Sequence, residues 1–128
     1  MLQQRRVHTT LPVGDLAAAR AFWEDRLGFV PLEVYPTAVI YAGAGGSVFA
    51  ISRASARATG GSTQMAFTVP DIDAEVAELG RLGVAFEAYD LPGLRTVDGI
   101  AEMGGNRVAW FRDPDGNVIG VIEFGPRP

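Results

Sequence analysis

Apolar and polar side chains alternate along the first strand-like run of the chain and then change to helical spacing. In Val7–Val13 the odd-numbered residues form one face and the even-numbered residues the other, as in a β-strand. Apolar residues then recur at helical spacing in a segment that Asp15 begins as an N-cap and Gly28 ends. The pattern predicts a strand followed by a helix that covers the bulkier face of that strand.

The same pattern occurs a second time. An alternating run at 64–69 precedes Asp71, and the apolar stripe that follows ends at Gly83. Asp71 follows Asp15 by 56 residues, and Gly83 follows Gly28 by 55. A repeat of this regularity predicts two copies of one supersecondary unit, with any ligand site lying between the copies.

Each copy continues with a short strand and a hairpin. The short strands are predicted at 30–35 and 84–89, and the hairpins pair 39–42 with 48–52 and 108–111 with 118–124. The fold class is therefore α+β, with two βαβββ modules in tandem at 5–53 and 63–125. A linker at 54–62 joins them within a single domain that spans 1–128.

One long connection breaks the symmetry between the copies. Asp90–Asn106 contains the dipeptides Pro92-Gly93, Asp98-Gly99 and Gly104-Gly105. Long connections inside compact domains are often lids or binding loops. We interpret this segment either as such a loop or as a tolerated surface excursion.

Composition narrows the function classes. The chain has no cysteine, which excludes disulfides, thiolate metal sites and cysteine nucleophiles, and all of its basic residues are arginine, which excludes Schiff-base chemistry by lysine. A net charge of −4 with scattered arginines argues against nucleic acid as a partner. No apolar run is long enough for a membrane span or a signal peptide, so a cytoplasmic location is expected. The expected partners are a small molecule and a second copy of the chain.

Several motifs resemble the vicinal oxygen chelate superfamily. They are Val13-Gly14-Asp15-Leu16, Leu27-Gly28-Phe29 and the run Phe111–Asn117. That superfamily includes glyoxalase I, extradiol dioxygenases, methylmalonyl-CoA epimerase, fosfomycin resistance enzymes and bleomycin resistance proteins. The resemblance implies two modules that form a cleft of curved mixed sheets with helices on the outside, usually in a homodimer. It is specific for the fold and says little about function.

The resemblance also implies four positions for metal ligands in the metal-dependent members. They fall on His8 and Gln64 in the first strand of each module, and on Ala50 and Gly120 in the last strand. A catalytic divalent site needs about three protein ligands, which these residues do not supply. Glu123 lies on the opposite strand face by alternation. No metal or other cofactor is therefore expected, and the small residues are expected to leave room for an apolar or aromatic ligand.

The leading prediction is a metal-free small-molecule-binding protein similar to the bleomycin resistance proteins, one that sequesters an antibiotic or an aromatic metabolite. The alternative is a glyoxalase-like lyase, isomerase or dioxygenase that uses His8, with or without a divalent metal. The candidate ligand-binding residues are His8, Thr10, Ala50, Gln64, Ala66, Thr68, Arg95, Met103, Arg107, Trp110 and Gly120.

Several of these residues have more than one interpretation. His8 could contact a ligand, act as a general base, or simply satisfy polar neighbours. Trp110 could form an aromatic wall or pack in the core. Arg95 and Arg107 could bind an anionic ligand or remain solvated. Asp113 and its neighbours are predicted as turn residues rather than catalytic acids.

Overall fold

The computed structural model describes residues 1–54 and 63–126. The chain divides into two compact units, Met1–Ala58 and Thr59–Pro128. Apart from Ala54, the predicted linker at 54–62 lies outside the described residues. No helix within the described parts of the chain is long and apolar enough to cross a membrane.

The first unit consists of one helix on a four-stranded mixed sheet. Its elements are β1 (Thr9–Val13), α1 (Leu16–Arg20), β2 (Pro31–Tyr35), β3 (Ala38–Ala42) and β4 (Val48–Arg53). The strand order is β1-β4-β3-β2, with β1 parallel to β4 and the other pairs antiparallel. This order confirms the predicted β-α-β-β-β sequence. Because β1 begins at Thr9, His8 precedes the strand that was predicted to contain it.

Helix α1 begins where Asp15 caps it and then widens. The Asp15 Oδ1 atom accepts a hydrogen bond from the Ala18 amide at 3.1 Å. After Arg20 the helix continues as a π-helical segment, Ala21–Arg26. The Leu27 amide there donates to the Phe22 carbonyl, five residues earlier, at 3.1 Å. The wider turn places consecutive aromatic residues, Phe22 and Trp23, in the core together.

The second unit places one helix on a six-stranded sheet. Its elements are β5 (Thr63–Thr68), α2 (Ile72–Arg81), β6 (Asp90–Leu91), β7 (Leu94–Val97), β8 (Ile100–Met103), β9 (Asn106–Arg112) and β10 (Val118–Glu123). The strand order is β5-β10-β9-β8-β7-β6, and β5 is parallel to β10. Asp71 caps α2, since its Oδ1 atom accepts from the Ala74 amide at 3.2 Å. The capping residue is again the one that the repeat predicts.

The predicted long connection is in fact a β-meander. The segment 84–89 forms no strand, and only Phe86 makes an isolated bridge, to Phe111. Instead β6, β7 and β8 extend the sheet through three two-residue turns at 92–93, 98–99 and 104–105. These turns need left-handed backbone, which the glycines supply, with φ of 77° at Gly93 and 81° at Gly99. Interpreting Asp90–Asn106 as a lid or a loop excursion was therefore wrong.

Each sheet has a helix face and an open face. In the second unit Phe111, Ile119 and Val121 are buried on the face that packs against α2. The alternate residues of the same strands form the open face, which has no helix of its own unit on it. The first unit is arranged in the same way, with Leu11 and Ile51 on its helix face. The face that a residue occupies decides which neighbours its side chain can contact.

Candidate functional site

The open face of the second unit brings three predicted residues together on adjacent strands. Gly120 of β10 pairs directly with Ala66 of β5 on one side and with Trp110 of β9 on the other. Thr68 lies one pair further along, opposite Ile122. Ala66 and Thr68 are exposed, and Trp110 is half-buried.

The Trp110 indole crosses the neighbouring strand at Gly120. Its Nε1–H donates to the Thr63 hydroxyl at 3.1 Å, although Thr63 belongs to β5, two strands away from β9. The Tyr89 ring meets the indole edge to face, with centroids 5.7 Å apart and planes at 80°. Gly120, which pairs with Trp110, lies on the strand between the two ends of this span.

The glycine at position 120 is packed closely by its neighbours. A β-carbon there would lie 3.2 Å from the Thr63 Cγ2 atom and 3.3 Å from the Ala66 Cβ atom. We expected Gly120 to open space in the floor of a site. In the structure, Thr63 and Ala66 occupy the space next to this glycine.

Gln64 has a structural partner inside the sheet. The β5–β10 register shifts between Val118 and Ile119, which leaves Gln64 as the extra residue of β5. The Gln64 Oε1 atom accepts from the Val118 amide at 3.2 Å. The side chain thus satisfies a backbone donor at the irregularity.

In the first unit, Thr10 and Ala50 pair across β1 and β4 on the open face. Ala50 is buried and also pairs with Ile40 of β3. His8 is exposed, and within the described residues it makes no hydrogen bond or ion pair. Within the described part of its own unit, His8 therefore satisfies no polar neighbour.

The remaining predicted residues are spread over other parts of the second unit. Arg107 lies on the helix face and forms a bidentate ion pair with Asp73 of α2, at 2.6 and 3.0 Å. Arg95 on β7 pairs with Asp90 at 2.9 Å. Met103 is exposed at the end of β8, towards β6 and away from Gly120. The structure therefore does not bring the two arginines together with Ala66, Gly120 and Trp110.

A second polar cluster lies on the helix side of the first unit. The buried Tyr41 hydroxyl donates to the Glu24 Oε2 atom at 2.8 Å, and the Arg20 Nε atom donates to the same oxygen at 2.6 Å. Burial raises the pKa of Tyr41, and the hydrogen bond to Glu24 is the second cause of the increase. The hydrogen bond from Arg20 lowers the pKa of Glu24. Tyr41 therefore stays protonated and fixes helix α1 to β3.

The residues at the four family ligand positions do not fit a divalent metal. Ala50 and Gly120 have no donor atoms, and the Gln64 carboxamide oxygen accepts from Val118. Glu123 faces α2, where its Oε1 atom accepts from the Ile72 amide at 3.0 Å, on the strand face that alternation predicts. Among residues 1–54 and 63–126, no three acidic, histidine or cysteine side chains are grouped to hold an ion.

Sequence reasoning missed Thr63 as a partner of the candidate site. The contact between Trp110 and Thr63 spans 47 residues of sequence and passes over an intervening strand. No local pattern signals such a contact, because it depends on the order of β5, β10 and β9 in the sheet.

Comparisons with known proteins agree with this architecture. A model of the Glyoxalase/Bleomycin resistance protein/Dioxygenase superfamily matches residues 5–121, whereas no protein with a curated description matches the chain. The chain resembles TnmS3, an antibiotic binding protein from Streptomyces sp. CB03234, with 26% identity, coverage of 94% of this chain and 97% of that chain, and a TM-score of 0.67.

Two further solved structures share the fold at lower identity. A putative glyoxalase family protein from Bacillus anthracis is 19% identical, with 94% and 95% of the chains covered and a TM-score of 0.72. The fosfomycin resistance protein FosX from Listeria monocytogenes is 20% identical, with 93% and 92% covered and a TM-score of 0.68. Because the family model spans nearly the whole chain, this protein belongs to the Glyoxalase/Bleomycin resistance protein/Dioxygenase superfamily.

Proposed function

We propose that this chain is a metal-free small-molecule-binding protein that holds a planar aromatic ligand against Trp110 and releases it unchanged. The observation that carries the proposal is the indole that crosses Gly120 and donates to Thr63. Gly120 stands where metal-dependent relatives are expected to present a carboxylate, and the aromatic ring of Trp110 lies beside it.

The fixed indole favours an aromatic ligand. Its N–H already donates to Thr63, and Tyr89 packs against it edge to face. A ligand would therefore meet the ring face rather than its polar edge, and aromatic groups stack well on such a surface. The neighbouring Ala66 and Gly120 have little side chain, so a flat molecule could lie beside the indole without a clash.

The metal-free part of the proposal rests on donor chemistry. Two of the four family positions are Ala50 and Gly120, and the Gln64 oxygen is engaged by a backbone amide. A single exposed imidazole, His8, would leave a divalent ion short of the three protein ligands that it needs. The likeness to an antibiotic-binding protein at 26% identity favours binding over chemistry.

We also propose that the chain forms a homodimer, as the resemblance implies. Strand β2 is an edge strand of the first unit's sheet. It exposes Leu32, Val34 and Tyr35, and unpaired edges with apolar side chains favour pairing with another chain. Sedimentation at micromolar concentration should give a dimer, and a monomer alone would contradict this part of the proposal.

The test of function is saturable binding with recovery of unmodified ligand. A panel of aromatic antibiotics, with non-aromatic compounds of similar size as controls, should be titrated and then analysed by mass spectrometry after release. Replacing Trp110 by alanine should weaken aromatic binding by about two- to tenfold, the usual range for one ring–ring contact. Leu82→Ala, at an exposed residue after α2, should leave binding unchanged.

Chemical conversion of the ligand would contradict the proposal. In that case His8→Ala would show whether the imidazole takes part. Conversion that survives a chelator but is lost in His8→Ala would identify acid–base catalysis without a metal.

A further inference from the structure

A groove of about 730 Å³ opens on the second unit, on the opposite side of its sheet from Trp110. It forms because α2 packs chiefly on β9 and β10, so the meander β6–β8 extends past the helix and leaves Val97 exposed. The lining residues come from the meander, from the first turn of α2 and from β9. Small-molecule pockets are usually of this size.

The groove has an apolar floor. Val97 and Ile100 pair across β7 and β8, and Ile100 continues the row to the buried Ala109 of β9. Leu91 of the edge strand β6 also lines the groove. Val97 and Leu91 are among the most exposed large apolar residues of this unit, so the floor could bury apolar area on binding a ligand.

The charges around this floor are not balanced. The lining contains four carboxylates and two guanidinium groups. Each guanidinium is held by one carboxylate, Arg107 by Asp73 and Arg95 by Asp90. The carboxylates of Asp98 and Glu102 remain, and neither forms an ion pair within the described residues. Glu102 lies across the ladder from Arg107, whose guanidinium already has a bidentate partner.

We infer that this groove binds a small organic cation that has an apolar body, with the apolar part over Val97 and Ile100 and the positive group at Asp98 and Glu102. The sequence analysis also allowed an anionic ligand at Arg95 and Arg107. Such a ligand would have to displace two ion pairs and would meet two further carboxylates. A cation instead meets two carboxylates that form no ion pair among the described residues, and Arg95 and Arg107, the two guanidinium groups in the lining, are each already paired with another carboxylate. This site is separate from the aromatic face proposed above and does not depend on it.

The experiment uses 2-phenylethylammonium as the probe, with 2-phenylethanol and phenylacetate as neutral and anionic controls of similar shape. Each is titrated into the full ¹⁵N-labelled chain at low ionic strength, and amide shifts are followed by NMR. We expect the cation to saturate with shifts centred on 97–102, the neutral compound to bind several-fold more weakly, and the anion to cause no saturable shift there. Added salt should weaken the binding of the cation.

Matched variants separate local from general charge effects. Glu102→Gln and Asp98→Asn should each lower the affinity for the cation by about two- to fivefold, the range for an exposed ion pair. Asparagine tolerates the left-handed backbone at position 98, where φ is 53°, so the turn should persist. Asp25→Asn makes the same change in net charge at an exposed residue of the first unit and should leave affinity unchanged.

Three results would overturn the inference. They are equal affinity for the cation and the neutral alcohol, an equal loss of affinity in Asp25→Asn, or shifts confined to the Trp110 indole and Ala66. The last result would place the probe on the aromatic face instead. Failure of the aromatic face to bind any ligand would leave the groove inference intact, because the two sites are observed through different resonances.

Discussion

Removing the Asp113 carboxylate should destabilise the second unit more than any exposed substitution in its sheet. Asp113 is buried in the turn between β9 and β10, and its carboxylate accepts three hydrogen bonds. Its Oδ1 atom accepts from the amides of Asp115 at 3.0 Å and Asn117 at 2.8 Å, and its Oδ2 atom accepts from the Asn117 side chain at 2.7 Å. Asp113→Ala deprives two buried backbone amides of their acceptor.

The size of the effect follows from those two amides. A buried donor left without a partner costs about 1–3 kcal/mol, so Asp113→Ala should lower the free energy of unfolding by about 3 kcal/mol, with some relief from water entering the turn. Asp113→Asn keeps an oxygen for both amides and loses only the bond from the Asn117 side chain. Its loss should be about 1 kcal/mol.

The assay is urea-induced unfolding followed by circular dichroism and by tryptophan fluorescence at pH 7. The two variants should differ by about 2 kcal/mol in free energy of unfolding. Equal losses in alanine and asparagine, or a loss below about 1 kcal/mol for alanine, would refute the claim that the carboxylate supports the turn through its backbone bonds.

The pH dependence of the same pair is a further check on this reasoning. Burial raises the pKa of Asp113 above its ordinary 3.8, against the hydrogen bonds from Asn117 and Asp115. When the pKa of Asp113 is higher in the folded state than in the unfolded state, protonation favours folding. The stability that protonated Asp113 contributes is fully present below its pKa in the unfolded state and is lost as the pH rises through its pKa in the folded state. The advantage of the natural chain over Asp113→Asn should therefore grow as pH falls towards 3.8.

Three other predictions test the remaining contacts. Tyr41→Phe removes the hydroxyl that donates to Glu24 and should lower the free energy of unfolding by about 1 kcal/mol, measured by denaturant titration. Arg20 lowers the pKa of Glu24 in the folded protein, so the Glu24 carboxylate stabilises the fold above its ordinary pKa of 4.5, and this stabilisation is lost as the pH falls through the pKa of the folded state. The melting temperature of Glu24→Gln should therefore approach that of the natural chain at acidic pH. Thr63→Val removes the acceptor of the Trp110 indole N–H and should shift its fluorescence and weaken aromatic ligands, whereas Thr63→Ser should not.

Local patterns predicted the parts of the fold that local chemistry controls. Asp15 and Asp71 each cap a helix as the repeat indicates, and the Asp113 turn forms as its Pro-Asp-Gly-Asn context predicts. Strand alternation placed Gly120 on the open face and Glu123 on the helix face, and both placements hold. Each of these features depends on residues within a few positions of one another.

The features that sequence reasoning missed had weaker or non-local signals. The β-meander had a readable signal, since Pro92-Gly93, Asp98-Gly99 and Gly104-Gly105 recur every six residues, a spacing that fits four-residue strands joined by two-residue turns. The π-helical segment follows from packing two consecutive aromatic side chains into one core. The contact between Trp110 and Thr63 depends on sheet order alone.

The role of Gly120 changes once that contact is known. From the sequence, the missing carboxylate suggested an emptied ligand position. In the structure, the glycine allows Thr63 and Ala66 to approach β10 closely, next to the hydrogen bond between the indole and Thr63. A larger residue at position 120 would have to displace Thr63 or Ala66. Under the proposed function, the family scaffold is retained and an aromatic surface takes the place of a metal ligand at this position.

The most direct test of the metal-free claim is elemental mass spectrometry. The natural chain and His8→Ala should be purified without chelator and measured before and after exposure to nickel, zinc, iron and manganese. We predict far less than one metal ion per chain in both proteins under both conditions. A near-stoichiometric metal that is lost in His8→Ala would contradict the account and would make an enzyme the better description of this protein.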